Sequence, residues 1–136
     1  MITVEKATEI LESMRTYPEV EEIPLEDALN RILAKDLLSP FDMPPFPKSA
    51  MDGYALRSDD NSKRFKIVEV IPAGYVPQRA IGKGQCAKIM TGGMLPPGAD
   101  RVIKKEVTSE EDGYMTITGK DERQNICFQG EDIKVG

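Results

Sequence analysis

FDMPPFPKSAMDGYAL, residues 41–56, is the stretch from which the arrangement of the chain can be worked out. Pro44, Pro45 and Pro47 each fix φ and lack a backbone donor, so this approach is neither helical nor part of a central strand. The residues ahead of each proline are pushed to extended conformations as well. A stiff extended arm therefore carries one acidic side chain, Asp52, to Gly53. Giving up helix and ladder hydrogen bonds in this way is a common mark of a functional site. Locally, Asp52-Gly53 reads in two ways. It is a turn in which the Asp side chain caps nearby N–H groups, or it presents a carboxylate that binds a hard cation or orients a water.

On the N-terminal side, Val4, Ala7, Ile10, Leu11 and Met14 have helical spacing. Thr3 suits the N-cap, Glu5 the first turn, and Pro18 ends the pattern. Such a helix has one apolar stripe and needs a partner surface. Val20–Ile23 reads as a short extended piece. Pro24 is placed to open a second helix over Leu25–Leu29, with Asn30 as its left-handed C′ residue. Ile32–Leu38 reads as a strand.

On the C-terminal side the pattern turns to β. Strands are expected over Phe65–Ile71, Gln85–Met90, Asp100–Val107, Tyr114–Thr118 and Gln124–Phe128, with Asp112-Gly113 as a hairpin signal. Ten prolines and eleven glycines, mostly in this half, suit several short strands in a strongly bent sheet. The expected class is α+β, mostly β: an N-terminal helical and linker segment over 1–45, then a coiled or barrel-like β domain over 46–136.

Composition excludes several functions. With 136 residues and a net charge of −5, nonspecific nucleic-acid binding is disfavoured. The densest basic run, Lys63-Arg64-Phe65-Lys66, reads as the solvated start of a strand. There is no histidine, which removes Ser-His-Asp and Cys-His catalysis and His-ligated zinc. Cys86 and Cys127 match no metal spacing and are expected to be free thiols in a reducing compartment. Charges come too early in MITVEKATEIL for a signal peptide, and no apolar run approaches a membrane span. The chain is expected to be soluble and cytoplasmic, with neither nucleic acid nor membrane as a partner.

Three further places are candidates for chemistry. Ile89-Met90-Thr91-Gly92-Gly93 leaves a strand for consecutive glycines, where backbone N–H groups approach an anion and Thr91 adds a hydroxyl; the alternative is a plain loop that Thr91 caps. Glu131 and Asp132 follow Gly130 as a solvated pair or, with Asp52 nearby, as part of an oxygen-rich Mg²⁺ site. Pro96-Pro97-Gly98-Ala99-Asp100 reads most simply as a rigid turn. A phosphate-loop motif is absent, since Gly82-Lys83-Gly84 has neither its spacing nor its Lys-Ser/Thr ending.

The order of these signals carries a resemblance. Phe46-x-x-Ser49-Ala50-Met51-Asp52-Gly53-Tyr54-Ala55, then Ile89-Met90-Thr91-Gly92, then Pro97-Gly98-Ala99-Asp100 with Val102, then Asn125-Ile126 and Gly130-Glu131-Asp132-Ile133 resemble the MoeA/gephyrin E-domain family of molybdopterin molybdenumtransferases. Pro24-Leu25-x-x-Ala28-Leu29 and Arg31-x-Leu33-Ala34 are similar to its N-terminal segment. The resemblance implies the front part of a longer chain that continues into a pterin-binding domain, and a homodimer with the active site shared between subunits. It also implies molybdate insertion into adenylylated molybdopterin, with release of AMP in the presence of Mg²⁺. It assigns Asp52 and Thr91 to catalysis, Ser49, Met51, Gly92 and Asp132 to substrate binding, and Asp52 with Glu131 to a metal. Both substrates are anions, so carboxylates beside them imply an intervening cation. One departure stands out: after Asn125-Ile126 the family has arginine and further basic residues, where this chain has Cys127, Phe128 and Gln129. The fragment alone is expected to be inactive. The alternative is a non-catalytic binding or dimerisation module that keeps the fold.

Overall fold

The computed structural model of the chain describes residues 2–16 and 19–136, which form two compact units, 1–37 and 38–136. In the first unit, helix α1 runs Val4–Ser13. The Thr3 hydroxyl caps it by accepting from the Lys6 backbone N–H at 3.3 Å, and Glu5 lies in the first turn. The expected stop at Pro18 lies outside the described residues. The expected second helix is a single 3₁₀ turn, Leu25–Asp27, after which Asn30 takes a φ of 64°. Ile32–Leu38 is not a strand, because no chain pairs with it. Its apolar residues stay exposed, Ile32 at 94%. None of the described residues in this unit is buried.

The second unit begins ahead of Phe46, and the proline arm packs inside it. Met43 N–H donates to Ile133 O at 2.7 Å, and Gly130 N–H donates to Pro44 O at 2.9 Å. Eight strands follow: β1 Lys48–Ser49, β2 Gly53–Leu56, β3 Arg64–Ile71, β4 Gln85–Ile89, β5 Arg101–Lys104, β6 Thr108–Glu111, β7 Tyr114–Ile117 and β8 Ile126–Cys127. The short β1 and β8 pair with each other; the rest form one sheet in the order β5-β2-β4-β3-β7-β6. Asp112 and Gly113 join β6 to β7 at φ values of 50° and 77°, as a two-residue type I′ loop requires. The strand expected over Asp100–Val107 stops at Lys104, where a 3₁₀ turn, Lys105–Val107, takes over.

Gly53 corrects the turn reading of Asp52-Gly53. It opens β2, flanked by Ile89 of β4 and Lys104 of β5. A Cβ there would lie 2.1 Å from the Ile103 carbonyl oxygen, so the glycine is required by a close backbone approach rather than by a positive φ. All four residues of β2 are buried. Tyr54 and Leu56 join Phe65, Cys86, Ile103 and Met115 in one cluster. Ala55 joins Ile71, Ala87, Ile89 and Val102 in the other. A strand covered on both faces reads as a continuous apolar run, which is what Tyr54-Ala55-Leu56 is.

The sheet curls. Glu110 of β6 accepts from the Tyr54 hydroxyl at 2.5 Å and from Lys88 Nζ of β4 at 2.6 Å. In the ladder β4 and β6 are three strands apart, about 14 Å at ordinary spacing if the sheet were flat. A register shift between Ile67 and Glu69 of β3 adds to the bend. Desolvation, and then Glu110, raise the Tyr54 pKa well above the ordinary phenol value. Burial pushes the Cys86 thiol up to about 12, as suits an inert core thiol.

Two stability measurements test this packing. Gly53→Ala is expected to cost about 1–3 kcal/mol in urea unfolding with an unchanged m-value, because backbone atoms cannot yield as a side chain would. Tyr54→Phe is expected to cost about 1 kcal/mol by losing the bond to Glu110 while the ring stays packed.

Candidate functional site

The antiparallel register around Gly53 assembles the site. Since Gly53 faces Ile89 on one side and Lys104 on the other, the preceding residue, Asp52, falls beside the segments that leave β4 and β5. Those segments bring Thr91 and Lys105. Asp52 Oδ1 accepts from the Thr91 backbone N–H and from the Thr91 hydroxyl, each at 2.9 Å. Asp52 Oδ2 accepts from Lys105 Nζ at 3.1 Å. The Lys105 backbone N–H donates to the Asp52 carbonyl at 3.0 Å.

These donors favour the ionised carboxylate. The Thr91 N–H first, then Lys105 and the Thr91 hydroxyl, hold the Asp52 pKa down at about 2. A folded pKa below the unfolded value means that the stabilisation is present above about pH 4 and fades as pH falls towards 2. Asp52 is therefore a permanent anion near neutrality, suited to binding a cation or orienting a water and unsuited to donating a proton.

The loop after β4 is held in place by Ser49. Gly92 N–H donates to Ser49 O at 2.8 Å, and Ser49 N–H donates to Gly93 O at 2.9 Å. Gly92 has a φ of 81°, which glycine adopts without cost. The Ser49 side chain is buried; its hydroxyl donates to Met51 O at 2.6 Å. Ser49 thus positions Gly92 and Met51 by hydrogen bonds within the protein. Met51 itself is partly exposed.

Glu131 and Asp132 lie in a separate turn. Glu131 Oε2 accepts from the Phe128 N–H at 2.7 Å, which caps that turn. Asp132 donates its N–H to Met43 O at 2.9 Å, and its carboxylate is exposed with no hydrogen bond among the described residues. Neither shares a hydrogen bond with Asp52. Among the described residues no three Cys, Asp or Glu side chains gather closely enough to hold a metal ion. With one carboxylate whose oxygens are both engaged, these residues do not fit a protein-held Mg²⁺, which prefers octahedral oxygen ligation.

Sequence reasoning missed Lys105. It stands in what reads as the interior of a strand over Asp100–Val107, and only the pairing of β2 with β5 reveals its position. It also missed a concavity of about 450 Å³ beside Met51, with Lys104, Lys120 and Arg123 on its wall. Asp121 is part of the same wall, but its carboxylate is consumed locally by Lys104 N–H at 3.1 Å and Asn125 Nδ2 at 2.8 Å. Glu122 lies on the same wall, so the three basic side chains share it with two carboxylates.

The family model for the MoeA N-terminal region, domains I and II, matches residues 2–136. The molybdopterin molybdenumtransferase of Staphylococcus epidermidis (strain RP62A) is 39% identical over 133 residues, covering 90% of this chain and 32% of that protein. The same-named protein of Staphylococcus aureus (strain Mu50) is 35% identical over 143 residues, covering 99% and 34%. The chain thus spans about a third of the length of the curated relatives it matches. The crystal structure of the molybdopterin biosynthesis MoeA protein from Pyrococcus horikoshii OT3 superposes with a TM-score of 0.77 at 36% identity, covering 85% of this chain and 33% of that one. The helix, the curled sheet and the sequence match over nearly every residue agree: the chain belongs to the MoeA family, as its N-terminal region.

Proposed function

We propose that residues 38–136 form one wall of the active cleft of a molybdopterin molybdenumtransferase, which inserts molybdate into adenylylated molybdopterin and releases AMP. The observation that supports this reading is the convergence of Asp52, Thr91 and Lys105 at the ends of three neighbouring strands. Stability does not call for it, since an exposed ion pair contributes about 0–1 kcal/mol.

In this role Asp52 orients a water, or the leaving phosphate through a water, for cleavage of the adenylate. Thr91 holds Asp52 through its N–H and hydroxyl and keeps it ionised. Ser49, Gly92 and Met51 shape the floor beside it, while Asp132 stays in its separate turn with no place in this role. The basic side chains of Lys104, Lys120 and Arg123 offer anionic substrates a favourable approach, which the Cys127-Phe128-Gln129 stretch does not provide. A substrate with several negative charges needs more positive contacts than this wall supplies. The remaining two thirds of the parent, in the same or a second subunit of a homodimer, would supply them. No step is assigned to Mg²⁺, because these residues give it no ligand set.

The parent carrying Asp52→Asn is expected to lose about a hundredfold or more in molybdate insertion. The amide retains an oxygen for the Thr91 N–H, so circular dichroism and the unfolding midpoint should stay near those of the wild type. Full restoration of molybdoenzyme activity in a deficient strain by the Asn variant would refute the assignment. Residues 1–136 alone should show no heat of binding with adenylylated molybdopterin in calorimetry; tight binding would contradict the shared-site reading.

A further inference from the structure

Lys105 holds a position that neither stability nor the family motif explains. Its backbone is pinned from both sides. The N–H donates to the Asp52 carbonyl at 3.0 Å, while the Lys105 carbonyl accepts from the Thr108 hydroxyl at 2.9 Å. The side chain is 59% exposed and its ammonium rests on Asp52 Oδ2. The other oxygen, Oδ1, is filled by Thr91. A carboxylate in this state is already neutralised. A divalent cation would have to displace the ammonium from Oδ2, and among the described residues it would find no cluster of three Cys, Asp or Glu side chains in compensation.

We propose that Lys105 is the resident cation of this half-site, standing where a divalent metal would otherwise bind Asp52 and presenting its ammonium to the oxyanion of the incoming substrate. The inference rests on the reading of Asp52 as a cleft residue and adds a positioning group to it. Two consequences follow. In the resting state the pair holds the Asp52 carboxylate in one orientation, with Oδ1 on Thr91 and Oδ2 on Lys105. When a phosphate or molybdate oxygen arrives, the long flexible stem lets the ammonium move on to it without any movement of the backbone. The ammonium thus provides as a side chain the positive charge that an acidic wall needs beside an anionic ligand.

The test uses the 136-residue chain, ¹⁵N-labelled, with Mn²⁺ as a paramagnetic probe of divalent binding. In the wild type, the amides of Asp52 and Thr91 are expected to broaden no more than those beside exposed carboxylates without an ion pair, such as Glu26. In Lys105→Gln, which removes the charge and keeps the reach, the same Mn²⁺ concentration should broaden Thr91 and Asp52 selectively, with apparent affinity raised about fivefold. Adding Asp52→Asn to that variant should abolish the gain. Selective broadening at Thr91 in the wild type, or no change in Lys105→Gln while its spectrum remains folded, would overturn the proposal. These outcomes are independent of turnover. A parent that remained active with Asp52→Asn would refute the assigned function and leave the metal result standing.

Discussion

The close approach of three backbones at Gly53 is the constraint on which the rest of the second unit depends. β2 can lie between β4 and β5 only because no Cβ projects towards the Ile103 carbonyl. That approach sets the register, and the register sets what stands one residue beyond it. Thr91 and Lys105 lie 39 and 53 positions beyond Asp52 along the chain, and the three meet because each lies within two residues of a paired strand end. The proline arm serves the same end. It cannot join the ladder itself, and it is anchored instead to residues 130–133, so that it delivers β2 from outside the sheet.

The carboxylates around Asp52 are engaged locally, and that shapes what this region can contribute. Asp52 is paired with the Lys105 ammonium, Asp121 accepts from backbone and amide donors, and Glu131 from a turn N–H. The cavity beside Met51 has a mixed wall, with Lys104, Lys120 and Arg123 alongside Asp121 and Glu122, and the Asp132 carboxylate is exposed. A surface of this kind can receive an anion and orient water near it. It does not resemble a metal cage, whose hallmark is several carboxylates held together at a cost in mutual repulsion.

Parts of this were legible residue by residue. The cap at Thr3, the left-handed Asn30 and the Asp112-Gly113 hairpin depend on a few adjacent positions, and each was found where local chemistry places it. β6 was not foreseen as a strand: Thr108-Ser109-Glu110-Glu111 has no apolar pattern, and pairing with Tyr114–Ile117 defines it. Ile32–Leu38 has the composition of a strand and none of its partners. Gly53 carries no local mark of its role, because a turn and a close strand approach both demand the same residue.

The sequence by itself determined the family, the mostly β class and the two motifs that carry Asp52 and Thr91, since these depend on residue identity in a fixed order. The tertiary structure alone decided that the two meet, that Lys105 completes them, and that Glu131 serves its own turn instead. The physical reason is that hydrogen-bond partners across a sheet are chosen by register, and a register is a property of paired backbones rather than of any one segment.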